Sequence, residues 1–218
     1  MAKIIPFNGI LYNTKKCDPS MVTTPPYDVI SSEEQEKFYE NHPNNIIRLI
    51  LGKEHDSDTE TNNRYTRAAS YFEEWQKNDS LIKDEKPALY FTAMDFFVDN
   101  KKYTRFGIIG LIGLESFDSG VVKPHEKTFS NVKSERLKLV TECHANFSPI
   151  FSIYSDPNNE IINTCLSDIE IDNPELSFTD DKNQNHRVYR IINKDVQQRI
   201  GDLMKDKVIF IADGHHRY

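Results

Sequence analysis

Apolar residues recur along this chain at two periods, and the alternation between them sketches the fold. Between Asp58 and Asn78, the residues Tyr65, Ala68, Ala69, Phe72 and Trp75 return every three or four positions, with Glu73 and Glu74 to one side; this predicts an amphipathic helix. Ser31 and Glu34 have capping-box spacing and predict a shorter helix ending before Pro43, preceded by an irregular N-terminal arm. Ser130 is expected to cap a third helix running to about Cys143, with Val132, Leu137 and Val140 turned inward. Val196, Ile200, Leu203 and Met204 predict a fourth, begun near Asn193.

The strand-like runs fall between these helices. Ile46–Leu51, Ile150–Tyr154 and His186–Ile192 read as strands, and Val208–Ala212, short and continuously apolar, reads as a buried one. Ala88–Val98 and Tyr103–Glu115 are rich in aromatic and β-branched residues, and Asp99-Asn100-Lys101-Lys102 between them suits a hairpin. Gly107, Gly110 and Gly113 interrupt the second run and predict a bulge or close backbone packing. They make a weak nucleotide loop, because the dinucleotide pattern requires strand, turn and helix in that order. The expected fold is mixed α/β (α+β): a mixed β-sheet with packed helices, forming one domain over residues 1–218 around one core.

Composition narrows the functional classes. With 38% hydrophobic and 28% charged residues the chain has an ordinary soluble balance, and its net charge of -7 argues against general nucleic-acid binding. Cys17, Cys143 and Cys165 lie far apart, so neither a disulfide framework nor a cysteine zinc site is signalled, and reduced thiols are expected. No charged-then-apolar leader opens the sequence and no apolar run approaches the roughly 18 residues of a membrane helix, so a cytoplasmic protein without a leader is expected. Asp156–Asp181 holds eight acidic residues and no Lys or Arg, and reads as a solvated helix and loop on a modest Ile161, Ile162, Cys165, Leu166, Ile169 stripe.

Candidate chemistry concentrates in four places. Asp213-Gly214-His215-His216-Arg217-Tyr218 follows the last apolar run: Gly214 permits close backbone approach to a ligand, and Arg217 can grip two phosphate oxygens. His215 and His216 can donate to phosphate, while Asp213 can hold a divalent cation or orient a histidine; the same residues also suit a solvated surface turn. Lys123-Pro124-His125-Glu126-Lys127-Thr128-Phe129-Ser130 is the second place, followed by Lys133 and Arg136 one helical turn apart, where a bound anion would relieve the cost of cations near a helix start. There His125 and Glu126 can serve as general acid and base, or Glu126 can bind magnesium. Third, Thr24-Pro25-Pro26-Tyr27-Asp28 is stiffened by its prolines and suits either a pocket wall carrying Asp28 or a structural arm. Last, Arg48 sits among apolar residues and needs a carboxylate within the fold or a substrate anion.

Taken in order, Pro25-Pro26-Tyr27-Asp28-Val29-Ile30-Ser31, Asn45-Ile46-Ile47-Arg48-Leu49, Pro124-His125-Glu126-Lys127-Thr128, Arg136-Leu137, Asn146-Phe147-Ser148-Pro149-Ile150 and the terminal motif resemble the bacterial and archaeal domain-of-unknown-function 1015 family. The terminal motif is also similar to the Asp-Gly-His-His-Arg loop of ParB-like free-serine kinases and, more distantly, to a sulfiredoxin loop. These resemblances imply a ParB/sulfiredoxin-like element around the motif and a loop that binds nucleotide phosphate. They imply phosphoryl transfer between ATP or ADP, with Mg2+, and a small hydroxylated metabolite such as L-serine. Phosphates then fall to Gly214, His215, His216, Arg217, Lys133 and Arg136, magnesium to Asp213 or Glu126, and the hydroxyl proton to Asp28, Glu126 or His125. A phosphoserine phosphatase and a non-catalytic metabolite-sensing module are the alternatives. Family members continue into a further helical segment, so the chain is expected to be an N-terminal piece. A terminal carboxylate beside Arg217 is then expected to compete with phosphate and keep activity low.

Overall fold

The computed structural model describes residues 1–126 and 130–218, with the side chains of all of these except 130–132. In chain order the first half carries β1 (Ile4–Ile5), β2 (Ile10–Tyr12), α1 (Pro19–Val22), α2 (Ser32–Asn41), α3 (Ile47–Ile50), α4 (Arg64–Lys77), β3 (Leu81–Lys83), β4 (Leu89–Val98), β5 (Lys101–Ile109) and β6 (Leu111–Ile112). The second half adds β7 (Val122–Lys123), α5 (Ser130–Cys143), β8 (Phe151–Ile153), α6 (Glu160–Leu166), β9 (Leu176–Thr179), β10 (Asn185–Ile191), α7 (Lys194–Met204) and β11 (Ile209–Asp213), before a final 3-10 turn at His215–Arg217.

The fold is mixed α/β, as the alternating periods predict. Its largest sheet is antiparallel in the order β5-β4-β10-β9, and a three-stranded sheet runs β7-β11-β8. Two small pairs, β1-β6 and β2-β3, tie down the N-terminal arm, which is thus less irregular than expected. The hairpin forms between β4 and β5, with Asp99 and Asn100 at φ 49° and 61°, the conformation that a tight two-residue turn between twisted strands demands. At Gly110 the chain passes from β5 to β6; a Cβ there would lie 2.8 Å from Leu89 Cδ2 and 3.1 Å from Ile4 Cγ2, so close packing does break the predicted strand.

Local signals set several boundaries. The capping box opens α2: Ser31 N–H donates to Glu34 Oε2 at 2.8 Å, and Glu34 N–H donates to Ser31 Oγ at 3.3 Å. Asn63 caps α4 by accepting from the backbone N–H groups of Tyr65 and Thr66, so that helix starts six residues later than predicted. The predicted strand Ile46–Leu51 is instead the short helix α3, Ile47–Ile50, preceded by Asn45, whose Oδ1 accepts from Ile47 N–H and whose Nδ2 donates to the Met21 carbonyl. A short apolar run carries no period of its own, and the buried Asn45 side chain, which fixes the backbone just before α3, favours the helix.

Among the described residues, buried apolar side chains gather in two clusters where one core is expected. The larger joins β4, β10 and β11 to α6 and α7 through residues such as Phe91, Ile191, Ile200 and Ile211. The smaller gathers Leu49, Ala68, Trp75, Leu81, Leu139 and Cys143 between α3, α4, β3 and α5. The inward face of α5 is therefore Arg136, Leu139 and Cys143, whereas Leu137 and Val140 point outward; the predicted placement of Val132 lies outside the described side chains. Likewise β11 buries Ile209 and Ile211 but leaves Phe210 45% exposed, so the strand is covered on one face. In the acidic segment, Leu176–Thr179 adds β9 beside β10, a strand whose brief alternation the charge pattern hides.

Asp95, buried in β4, illustrates how this sheet holds charge. Burial opposes its ionisation, but Thr104 Oγ1 at 2.7 Å, Lys102 Nζ at 3.0 Å and Arg187 Nη2 at 2.8 Å outweigh that and hold its carboxyl below the usual carboxylate range. Its contribution is complete above the unfolded-state value of about 4 and is lost as pH falls through the lower native value. The Asp95→Asn variant is expected to lose stability at neutral pH and to show a shallower decline between pH 5 and 3 than the parent, measured by thermal melts across that range.

Candidate functional site

Three chain segments meet at one end of the three-stranded sheet because of how its strands run. β11 is parallel to β7, in register Ile209 to Val122 and Phe210 to Lys123, and antiparallel to β8. The C-terminal ends of β7 and β11 therefore open on the same edge, together with the segment entering β8. The first delivers Pro124-His125-Glu126, the second Asp213 to Tyr218, and the third Pro149. This is where ligands settle in sheets with parallel strands, beyond the carboxyl ends. The β11-β8 register shifts between Ile211 and Asp213, a bulge that re-aims Asp213 as the strand ends.

Gly214 then turns the chain at φ 87°, and His215–Arg217 form a single 3-10 turn packed against α5. His215 is 3% exposed. Its ring stands edge-on to that of His125, centroids 4.4 Å apart, and its Nε2 accepts from the His125 backbone N–H at 3.4 Å. His215 Nδ1 lies 2.9 Å from Glu126 Oε1 but off the hydrogen-bond axis, leaving that buried nitrogen without an aligned partner. The His125 Nδ1 lies 2.7 Å from the Ile211 carbonyl, which can only accept, so Nδ1 carries the proton and Nε2 of the neutral ring holds a lone pair.

Arg217 folds back over Gly214. Its Nη2 donates to Asp213 Oδ2 at 3.2 Å and to the Pro149 carbonyl at 3.5 Å, and its Nε is enclosed without a partner. Tyr218 fastens the turn: its hydroxyl accepts from Glu115 N–H and donates to Glu115 O, and its ring stacks on Phe117 at 5.2 Å. Asp213 is thus engaged with Arg217, and the donors gathered within 4.8 Å of one another are those of His125, Glu126 and His215. The pairing of the two histidines across 90 residues is what sequence reasoning missed; its signal, the parallel register of β7 and β11, exists only in the folded sheet.

The remaining predicted residues lie elsewhere. Arg136 points away from exposed Lys133, into the protein, where it is 8% exposed. Its guanidinium sits 3.9 Å over the Tyr27 ring and donates to the Ile50 carbonyl at 3.3 Å, while its Nε is enclosed without a partner. Burial pushes its pKa below the ordinary arginine range, against the pull of Tyr27 and Glu135. Lys133 and Arg136 consequently do not present one face to an anion. Asp28, beside Tyr27, is exposed and makes no hydrogen bond or ion pair among the described residues. Arg48 donates to the Tyr39 and His42 carbonyls at the end of α2 and stacks over the Tyr39 ring, so its partners are backbone carbonyls and not the carboxylate or anion expected. Lys127 and Thr128 lie outside the described residues. An open cleft of about 1180 Å³ between β1 and α7 contains none of the predicted site residues.

A family model described as a protein of unknown function, DUF1015, matches residues 4–218, and the chain belongs to that family. No curated protein and no solved structure matches the chain. Among the described residues no helix is long and apolar enough to cross a membrane.

Proposed function

We propose that this edge binds the phosphates of ATP or ADP with Mg2+ and transfers a phosphoryl group to a small hydroxylated metabolite, L-serine being the acceptor to test first. The observation that carries the reading is the delivery of His125, Glu126 and the Asp213–Arg217 turn to one edge by the parallel β7-β11 pair. Arg217 exchanges Asp213 and the Pro149 carbonyl for phosphate oxygens, which frees Asp213 to meet the cation. Gly214, His216 and exposed Lys133 complete the phosphate contacts. The acceptor oxygen attacks the terminal phosphorus, the bond to the nucleotide's bridging oxygen breaks, and the hydroxyl proton passes to His125 Nε2 or Glu126. The likeness of Asp-Gly-His-His-Arg to the ParB-like serine-kinase loop supports this assignment, and the buried free thiols of Cys17, Cys143 and Cys165 suit a reducing cytoplasm.

Phosphorus NMR of the protein with L-serine, magnesium and either nucleotide is expected to show O-phosphoserine growing at the nucleotide's expense. No O-phosphoserine from either nucleotide removes the serine-kinase reading. Phosphate release from O-phosphoserine without nucleotide selects the phosphatase, and nucleotide binding without turnover selects the sensing module. Lys133→Ala, which removes an exposed charge, is expected to weaken nucleotide binding by about threefold in calorimetry.

A further inference from the structure

We infer that His125, Glu126 and His215 form a seat for a divalent transition metal, with the two imidazoles selecting zinc-like ions over magnesium. It shares His125 and Glu126 with the proposed transfer site, and an ion on His125 Nε2 excludes that nitrogen as the proton acceptor, but the seat stands on its own geometry and binds its ion with no nucleotide present.

Two observations point to a cation independently. The first is His125, whose Nδ1–H is spent on the Ile211 carbonyl at 2.7 Å. A metal-ligating histidine is typically held this way: the second nitrogen donates to a carbonyl or carboxylate, which fixes the tautomer and aims the other lone pair. The second is His215, 3% exposed, whose enclosed Nδ1 lies 2.9 Å from Glu126 Oε1 without an aligned hydrogen bond. A buried imidazole nitrogen left in this state costs free energy, and an ion bound by both atoms would satisfy it. Among the described residues two contacts argue for a proton at Nδ1, the 2.9 Å approach of the Glu126 carboxylate and the 3.4 Å approach of the His125 N–H to Nε2; the first is not aligned for a hydrogen bond and the second is long and weak, so an ion can take the proton's place.

The spacing is that of adjacent ligands. Donors about 2.1 Å from one ion lie roughly 3.0 Å apart at right angles and roughly 3.4 Å apart at the tetrahedral angle. The Nδ1–Oε1 separation of 2.9 Å meets the first value, and all three donors lie within 4.8 Å of one another. His125 and Glu126 are largely exposed, so small side-chain rotations close the remainder while His215 stays fixed. Two nitrogen donors and one carboxylate favour zinc, manganese, cobalt or iron; magnesium prefers oxygen ligands and retains its water. Three protein donors also leave coordination positions open toward solvent, where water or a phosphate oxygen can bind.

The test is calorimetric titration of chelator-stripped protein with Zn2+ and with Mg2+, and absorption spectroscopy with Co2+, all without nucleotide. The expected result is one Zn2+ per chain, bound at least 100-fold more tightly than Mg2+, with visible Co2+ bands of a nitrogen and oxygen site. His125→Ala and Glu126→Gln should each weaken Zn2+ about 10- to 100-fold, while His55→Ala, at an exposed histidine outside the cluster, should not. Since His215 is buried, His215→Gln is read only if its circular dichroism matches the parent, and the two exposed-site variants decide without it. Absence of saturable Zn2+ binding, equal Zn2+ and Mg2+ affinities, or binding that survives both His125→Ala and Glu126→Gln would overturn the inference. Loss of serine phosphorylation alone would leave it standing, because ion binding is read directly.

Discussion

Replacing Arg190 by methionine is expected to lower the unfolding free energy by about 3 kcal/mol, because it strands a buried carboxylate. Arg190 grips Asp84 with two donors, Nε to Oδ2 at 2.8 Å and Nη2 to Oδ1 at 2.6 Å, and reaches Glu175 Oε1 with Nη1 at 2.7 Å. The Asp84 side chain is only 7% exposed. Tyr90 donates its hydroxyl to Asp84 Oδ2 and accepts from the Gly9 backbone N–H, and Asn8 donates to the Asp84 carbonyl. This network ties the N-terminal arm and the β3–β4 connection to the central β4-β10 pair. Without Arg190, Asp84 keeps Tyr90 as a donor but loses its counter-ion, and the partial exposure of Arg190 places the loss at the lower end of the range for buried pairs. For a chain of 218 residues this corresponds to a melting temperature lower by about 6–9 °C. The double variant Asp84→Leu with Arg190→Met removes the stranded charge and is expected to be more stable than Arg190→Met alone. Urea unfolding that places Arg190→Met within about 0.5 kcal/mol of the parent would show that Tyr90 and water suffice for Asp84.

Where a feature was written in neighbouring residues, the sequence revealed it. The capping box of α2, the stripe of α4, the Asn193 start of α7 and the turn at Asp99-Asn100 each rest on contacts spanning a few positions, and each appears in the fold. The failures share a cause too. An inward arginine is invisible to a hydrophobic pattern, so Leu137 and Val140 read as inward where the buried positions are Arg136 and Leu139: Tyr27, from an arm a hundred residues earlier, is what covers Arg136. The short run at Ile46 holds no period, and Phe210 reads as buried although its side of the sheet is open. The candidate site divides in the same way. Gly214 and Arg217 act within one turn and were legible as a local motif. The meeting of His215 with His125 and Glu126 depends on parallel pairing of β7 with β11, and the contact of Asp213 with Arg217, four positions on, is set by the fold of the turn.

Gly214→Ala is expected to have the largest effect on the proposed phosphate site, and Gly120 supplies the comparison that isolates why. Both glycines have positive φ, 87° and 71°, so alanine at either incurs a backbone cost of about 1–2 kcal/mol. At Gly120 a Cβ meets nothing within 4 Å. At Gly214 it would lie 2.4 Å from Arg217 Nη2 and 2.8 Å from Cζ, distances that only movement of the guanidinium can relieve. That movement breaks the contacts to Asp213 and Pro149 and displaces the group assigned to phosphate. One charge-assisted contact of this kind is worth about 1.5–3 kcal/mol, so nucleotide affinity should fall about 10- to 100-fold. Gly120→Ala should match Gly214→Ala in backbone strain while leaving nucleotide affinity unchanged. Calorimetry on the two variants therefore separates a loop that needs glycine for its turn from one that also needs it to let Arg217 lie across the backbone; equal affinities in both would exclude the second role.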